Sequence, residues 1–270
     1  MTRVGFIGTG RLGGPMAARL VGAGHRVRAL GRSADRRAAI NELGAQPVTT
    51  AADVAEQADV VVVCVFTDEQ VNEVCLRGEL LTAMPERSVL VVHTTGSPRT
   101  VEEIAAAAPR IDVIDAPVSG GPHDVAAGRV TLFVGGSDEA VARTRPVLAH
   151  YGDPILHVGP TGAGQRVKLV NNTLFAAQIG LVAEAVRLGD RLGIPEPTLL
   201  GALPHGSGAS RALASIAAAK SVSSFAHVVG EFLRKDVAVV RKTVAELGGD
   251  LGVLDEVVNV LSAESVSPHS

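Results

Sequence analysis

Aromatic residues and an excess of basic charge are the first things that this 270-residue chain lacks. Aromatic residues make up 3% of it, tryptophan is absent, and the formal net charge is -3. Proteins that bind nucleic acids generally carry a basic excess, and those that bind single strands stack the bases on aromatic side chains. The composition therefore argues against a nucleic-acid partner.

Cysteine and long apolar runs are also scarce. The two cysteines, Cys64 and Cys75, form no C-x-x-C pair, which favours a reduced, cytoplasmic protein. The N-terminus lacks the pattern of a signal peptide, and no apolar run of about 18 residues escapes interruption by a charge or a glycine. None of the eight histidines has a metal-ligand spacing, so no metal is expected. A soluble protein without a membrane partner is predicted.

Buried strands alternate with helices in the first part of the chain. Hydrophobic residues are 46% of the sequence and charged residues 20%, as in a globular protein. Runs such as Arg3 to Gly8, His25 to Leu30 and Asp59 to Phe66 are typical of strands of a parallel sheet. We predict an α/β Rossmann domain with a mostly parallel, doubly wound sheet over residues 1–160. An all-helical domain for substrate binding and oligomerisation, built on a long interdomain helix, is predicted over 161–270.

A glycine-rich turn, GTGRLG, joins the first strand to an amphipathic helix. In this context Gly8 permits the tight turn, Gly10 lets the backbone approach a pyrophosphate, and Gly13 lets the helix pack on the strand. The unpaired amides of the helix N-terminus attract phosphate. The predicted cofactor-binding residues of this turn are Gly8, Thr9, Gly10, Arg11, Leu12 and Gly13.

The residues after the second strand bear on the choice of cofactor. Enzymes that select NAD usually carry an acid there, about 20 residues beyond the glycines, for the adenine ribose. This chain has Arg32 and Ser33 instead, a pair suited to a 2'-phosphate. NADP(H) is therefore the preferred cofactor, with NAD(H) possible.

Two further stretches combine polar groups with glycine. Ser119, Gly120 and Gly121 offer a hydroxyl and backbone amides to a small anion such as a carboxylate. The stretch GAGQRVKLVNN opens a helix predicted from about Gln165 to Leu192. Lys168 and Asn172 lie four residues apart, so they share one face of that helix.

Together these stretches resemble the β-hydroxyacid dehydrogenase family, which includes 3-hydroxyisobutyrate dehydrogenase and the tartronate, glyoxylate and succinic semialdehyde reductases. The resemblance implies that Lys168 is the catalytic acid and base, that Asn172 binds substrate, and that Thr95 and Lys235 lie near the cofactor. It also implies a carboxylate substrate on Ser119, Gly120 and Gly121. The matching stretches are GFIGTGRLGGPMA, GRS, HTTGSP, DAPVSGG, GAGQRVKLVNN and FLRKD.

The chain departs from the family in the stretch that follows SGG. Small residues are usual there, whereas this chain has PHDVAAGRV; His93 and Thr94 stand where Met and Ser are commoner.

Two alternatives to a hydroxyacid dehydrogenase are an imine reductase, which generally lacks the lysine, and a cofactor-binding interaction module. The long helix is apolar over more than one stripe, so we predict that its extra face is buried by a second subunit or by the other helices of its domain. With the resemblance, a homodimer or homotetramer is the expected result.

Overall fold

The computed structural model describes residues 1–264, with side chains as far as residue 259. The last residues of the predicted helical domain, 265–270, lie outside that range. The chain divides into two compact units, Met1–Lys168 and Leu169–Ser270. The dividing point lies inside one continuous helix, Ala163–Arg191, which begins in the first unit and continues into the second.

The first unit alternates strands and helices. Its strands are β1 (Arg3–Ile7), β2 (Arg26–Leu30), β3 (Gln46–Val48), β4 (Val60–Val63), β5 (Val89–Val92), β6 (Asp112–Asp115), β7 (Val118–Ser119), β8 (Val130–Gly135) and β9 (Gly152–Gly159). Its helices are α1 (Gly13–Gly22), α2 (Ala34–Glu42), α3 (Ala51–Ala55), α4 (Asp68–Cys75), α5 (Leu80–Ala83), α6 (Pro98–Ala107), α7 (Pro122–Ala126) and α8 (Asp138–Leu148).

These strands form one sheet. The order β3-β2-β1-β4-β5-β6 is parallel throughout, and β8 then pairs antiparallel with β6. Strand β7 is antiparallel and β9 parallel to β8. The strand order reverses between β1 and β4, and ligands of such sheets bind beyond the carboxyl ends of the strands at that point.

Helices cover both faces of the sheet, which explains why the strands read as continuous apolar runs. In β4, Val60 and Val62 belong to one buried cluster with Met16 and Leu20 of α1. The alternate residues Val61 and Val63 belong to a second cluster on the opposite face, with residues of α3, α4 and α6. Successive side chains of a strand point to opposite faces, so a strand covered on both sides has no polar alternation.

The second unit is helical. It contains most of α9 (Ala163–Arg191), then α10 (Glu196–Ala202), a 3-10 turn at Leu203–His205, α11 (Arg211–Ala219), α12 (Val222–Glu246) and α13 (Val253–Glu264). Its core joins Ala176, Ile179 and Ala183 of α9 to apolar residues of α10 through α13. A mostly parallel sheet followed by helices confirms the predicted fold class.

Helix α9 is long and apolar enough to cross a membrane, and the bent pair α11 and α12 qualifies only if it is counted as one span. Half of the most apolar window of α9 is buried inside the protein. The core helix of a soluble protein passes the same test, so length and apolar composition here are weak grounds for a membrane span.

Candidate active site

The glycine turn between β1 and α1 contains three glycines of two kinds. Two have no room for a Cβ, and the third has open space. Gly8 has φ +100°, and a Cβ there would collide with the carbonyl of Cys64. A Cβ at Gly13 would collide with the carbonyl oxygen of Gly8. A Cβ at Gly10 would meet no protein atom within 4 Å. Gly8 and Gly13 are therefore required by the fold, whereas Gly10 faces open space through which a ligand can approach the backbone.

The N-terminus of α1 is suited to an anion. Its cap residue, Leu12, makes no side-chain hydrogen bond to the first turn, and that turn contains no acidic residue. The first amides of a helix have no partner within the helix, and the helix dipole adds a partial positive charge. A pyrophosphate fits this position.

The second strand ends beside an exposed group of cationic residues. Arg32 and Ser33 are exposed, and the Ser33 hydroxyl caps α2 by accepting a hydrogen bond of 3.2 Å from the Arg36 amide. Its own hydrogen remains able to donate to a phosphate. Arg36 is exposed in the same turn and was missed by the sequence analysis, which stopped at the Arg-Ser pair. Arg37 differs, because its Nη1 donates to the Gly31 carbonyl at 3.2 Å.

The loop after β5 contains Thr95, which follows two well-bonded residues, His93 and Thr94. His93 is buried, and its Nδ1 and Nε2 lie 2.6 Å from the Ala116 carbonyl and 2.8 Å from the Tyr151 hydroxyl. Burial lowers the pKa of His93 to about 4, so its ring is neutral and structural. The Thr94 hydroxyl bonds both the amide and the carbonyl of Val65, each at 3.0 Å. Thr95 itself is half-buried.

The Ser-Gly-Gly stretch differs from its prediction in one respect. Ser119 ends β7 and is half-buried, and Gly120 has φ +138°. The amide of Gly121, which the sequence analysis left open to an anion, donates to Asp124 Oδ2 at 2.8 Å. The cause is Asp124, an acid within the stretch that departs from the family pattern. A carboxylate that reached this loop would compete with Asp124 for the Gly121 amide.

The first turns of α9 contain Lys168 and are held by an acid from the sheet. Lys168 is buried, with 8% of its surface exposed. Asp115, at the end of β6, accepts hydrogen bonds from the amides of Gly162 (2.6 Å) and Gln165 (2.7 Å). Burial raises the pKa of the Asp115 carboxyl to about 6, and these two hydrogen bonds act in the opposite direction. Asp115 lies within DAPVSGG, where no local pattern marks it as the residue that holds α9.

In the second unit, Asn172 belongs to a buried polar cluster. Its Nδ2 donates to Asp236 Oδ2, and its Oδ1 accepts from Asn171 Nδ2 at 3.0 Å. The other Asp236 oxygen lies 2.7 Å from Lys235 Nζ, in ion-pair contact outside hydrogen-bond geometry. Asp236 is 7% exposed and orients both neighbours. Sequence reasoning singled out Lys235 in FLRKD and missed the adjacent acid.

Within the described residues, no group of three or more His, Cys, Asp or Glu side chains could hold a metal ion. The polar groups that the structure brings together are suited to a phosphate-bearing ligand and to proton transfer. The open glycine turn on a doubly wound sheet defines the class of the protein, a dinucleotide-binding protein.

Two sequence families match the chain along most of its length. Residues 3–159 match the NAD binding domain of 6-phosphogluconate dehydrogenase. Residues 162–266 match the family described as NAD-binding of NADP-dependent 3-hydroxyisobutyrate dehydrogenase.

Individual relatives agree with this result. The chain is 37% identical to 3-hydroxyisobutyrate dehydrogenase of Pseudomonas aeruginosa over 216 residues, 79% of this chain and 72% of the relative. It is 35% identical, with the same coverage, to an NAD-dependent L-serine dehydrogenase of that organism. The solved structure of the Mycobacterium tuberculosis 3-hydroxyisobutyrate dehydrogenase with L-serine has a TM-score of 0.88 and 28% identity, covering 99% of this chain and 94% of that one.

The chain therefore belongs to the β-hydroxyacid dehydrogenase family, as its motifs predict. It is an oxidoreductase with a nicotinamide dinucleotide cofactor. An imine reductase from Myxococcus stipitatus shares the fold at a TM-score of 0.60, but at 18% identity the likeness extends to the fold alone.

Proposed function

We propose that this protein transfers a hydride between NADP(H) and a small β-hydroxy acid or the corresponding semialdehyde or keto acid, with Lys168 as the general acid and base. The observation that carries the proposal is that Lys168 is buried. It lies three residues after Gln165, whose backbone amide is held by a hydrogen bond to Asp115. Buried lysines are rare, and a buried lysine in a dinucleotide-binding enzyme is a candidate for proton transfer.

The cofactor supplies the hydride when it is bound, and the chain supplies the proton and the orientation. During reduction the Lys168 ammonium donates a proton to the carbonyl oxygen, and during oxidation the amine accepts it from the hydroxyl. Asn172, held by Asp236, is proposed to bind the substrate hydroxyl. Ser119, Gly120 and Gly121 are proposed to bind the carboxylate, and Thr95 and Lys235 to lie near the cofactor.

A turnover screen tests the proposal. Short β-hydroxy acids and semialdehydes are offered with NADP(H) and with NAD(H), beside cyclic imines as the substrates of the rival class. We expect turnover of the hydroxy acids or semialdehydes and none of the imines. Turnover of imines alone would favour the imine reductase, and cofactor binding without any turnover would favour a catalytically silent interaction module.

The preference for NADP(H) is tested at Arg32. We expect Arg32→Asp to reverse the preference, because a guanidinium attracts a 2'-phosphate while a carboxylate repels it and accepts from ribose hydroxyls. Loss of one charge-assisted hydrogen bond predicts a fall in kcat/KM with NADPH of about 10-fold or more. Steady-state kinetics with both cofactors measure it.

The matched control is Arg26→Asp, the same charge change on an exposed arginine at the opposite end of β2. It should leave the cofactor preference unchanged. Equal or better efficiency with NAD(H) in the parent protein would contradict the proposed preference. One relative is named NAD-dependent and a matching family NADP-dependent, so the family as a whole does not fix the answer.

A homodimer or homotetramer is proposed from the exposed face of α9. Large apolar side chains recur along it at intervals of four and seven residues, and each is at least half exposed: Val170, Leu174, Leu181 and Leu188, followed by Leu192 just beyond the helix. A contiguous apolar stripe on a surface helix is typical of a protein interface.

We expect light scattering at micromolar concentration to give the mass of a dimer or tetramer, and Leu181→Glu to lower it. The control Leu247→Glu alters a leucine that is 83% exposed but lies directly after α12 and is not part of the α9 stripe. A monomeric parent, or the same mass in both variants, would contradict an interface on this face.

The domain boundary and the location of the protein remain proposals too. We place the end of the Rossmann domain at residue 160 and assign residues 161–270 to substrate binding and oligomerisation. The separate family matches at 3–159 and 162–266 support this boundary. The cytoplasmic location predicted from the sequence, and the absence of nucleic-acid and membrane partners, stay predictions.

A further inference from the structure

Gln165 lies in the first turn of α9 and is 1% exposed. Its side chain bonds the backbone on both sides of Thr95: Oε1 accepts from the Gly96 amide at 3.0 Å, and Nε2 donates to the Thr94 carbonyl at 2.8 Å. The loop after β5 is thus tied at two consecutive peptide groups to a single side chain of the helix.

The choice of residue follows from the two partners. A peptide amide requires an acceptor and a peptide carbonyl requires a donor, and a glutamine side chain offers one of each. A carboxylate at this position could satisfy the Gly96 amide only, and its charge would be repelled by the Thr94 carbonyl. A methionine of similar length could satisfy neither group, leaving two buried backbone groups unpaired.

The backbone of Gln165 is held independently of its side chain. Its amide donates to Asp115 Oδ2, and the other oxygen of that carboxylate accepts from Gly162. Glycines make room for the acid, since a Cβ at Gly135 would collide with Asp115 Oδ1 and one at Gly164 would lie 2.8 Å from Oδ2. The position from which Gln165 reaches the loop is therefore fixed by β6.

Lys168 follows Gln165 by three residues, on the same side of the helix. We infer that Gln165 is a positioning residue for the reaction, which holds the Thr95 loop and the turn that carries Lys168 in one fixed arrangement. The inference rests on the proposed function, in which Lys168 transfers the proton. Misplacement of reacting groups by about 1 Å is enough to cost about 10²-fold in rate.

The test compares Gln165→Met, Gln165→Glu and the control Gln178→Met in the full-length protein with its cofactor. Gln178 lies on the same helix and is half-buried. We expect Gln165→Met to lower kcat by about 10-fold to 10²-fold with little change in KM or in cofactor affinity. Amide exchange at Gly96 should become faster in Gln165→Met and stay slow in Gln165→Glu, which keeps that acceptor.

The pH dependence of Gln165→Glu separates positioning from bulk stability. Gln165 is 1% exposed, and burial raises the pKa of a carboxyl group, so a glutamic acid at this position should bind its proton well above the ordinary pKa of about 4.3. The protonated acid donates to the Thr94 carbonyl as the amide does, so turnover relative to the parent should recover as pH falls from about 8 to about 5. Each value is divided by that of the parent at the same pH, because Asp68 beside Gly96, Asp115 and Lys168 are titratable neighbours, and the pKa of Asp115 is itself near 6.

Turnover of Gln165→Met equal to that of Gln178→Met would overturn the inference. So would a Gln165→Glu ratio that does not change with pH. Lys168→Ala is measured in the same assay. If it is inactive while Gln165→Met is fully active, the inference about Gln165 is wrong and the proposed function of Lys168 stands. Parent-like turnover in Lys168→Ala would instead overturn the proposed function, whatever the exchange at Gly96 reports.

Discussion

Lys168→Ala is expected to lower turnover by about 10²-fold to 10⁴-fold, the usual contribution of a general acid or base. Alanine cannot donate a proton to the carbonyl oxygen, so the alkoxide that develops as the hydride arrives is left without a partner. Cofactor affinity should change little, because the proposed contacts to the pyrophosphate and the adenine ribose come from other elements, the turn between β1 and α1 and the end of β2. Steady-state turnover and cofactor binding by fluorescence measure the two effects.

Lys168→Arg should fail as well, and it separates proton transfer from charge. A guanidinium keeps the positive charge but stays protonated and presents a planar fork where a compact ammonium is needed. Lys242→Ala, on an exposed lysine of α12, is the matched control and should retain full turnover. Near-parent turnover in a folded Lys168→Ala protein would contradict the mechanism and favour an enzyme that does not need the lysine.

Much of the first unit could be predicted from local patterns. The apolar runs marked β1, β2 and β4 within one to three residues at each end, and the glycine turn marked the start of α1. The sequence pattern predicts these features because a strand buried on both faces needs unbroken apolar residues, and a tight strand-to-helix turn needs glycine. The run Ile111 to Val118 reads as one strand by the same pattern, but the structure divides it between β6 and β7 by two residues that belong to neither.

The helical unit shows where such patterns fail. Glycine or proline at Gly193, Pro204 and Gly248 marks the breaks after α9, α10 and α12, whereas neither residue marks the break between α11 and α12. There the chain turns at Lys220, which has φ +68°. Left-handed backbone is unfavourable for a lysine, and only the packing of α11 and α12 on the rest of the unit selects it.

Candidate site residues could be named where a local motif carries the signal. Arg32 stands after the second strand, where an acid is usual in enzymes that select NAD, and Lys168 and Lys235 are named from the resemblance of GAGQRVKLVNN and FLRKD to the family. Asp115 and Gln165 could not be named in this way, since their roles depend on partners 47 to 71 residues away in the chain. Long-range hydrogen bonds leave no periodic trace in a sequence, so the positioning groups became visible only in three dimensions.

Gly10→Val should abolish tight cofactor binding while leaving the protein folded. A side chain at Gly10 meets no protein atom within 4 Å, so the fold has room for it. That same open space is where the pyrophosphate must approach the backbone amides. Loss of one or two charge-assisted hydrogen bonds, each about 1.5–3 kcal/mol, predicts a rise in the cofactor Kd of about 10²-fold. Fluorescence titration measures the Kd, and thermal unfolding without cofactor measures the fold.

Two other glycine variants make the result specific to position. Gly22→Val, in the last turn of α1, also places its side chain in open space and should leave both cofactor Kd and Tm close to those of the parent. Gly8→Ala should lower the Tm of the cofactor-free protein, because its φ of +100° and the nearby Cys64 carbonyl exclude a Cβ. If Gly10→Val instead bound the cofactor normally, or lost affinity only in step with a lower Tm, the space above Gly10 would not be the pyrophosphate site. The match between this turn and the dinucleotide-binding pattern would then describe its backbone shape and not its ligand.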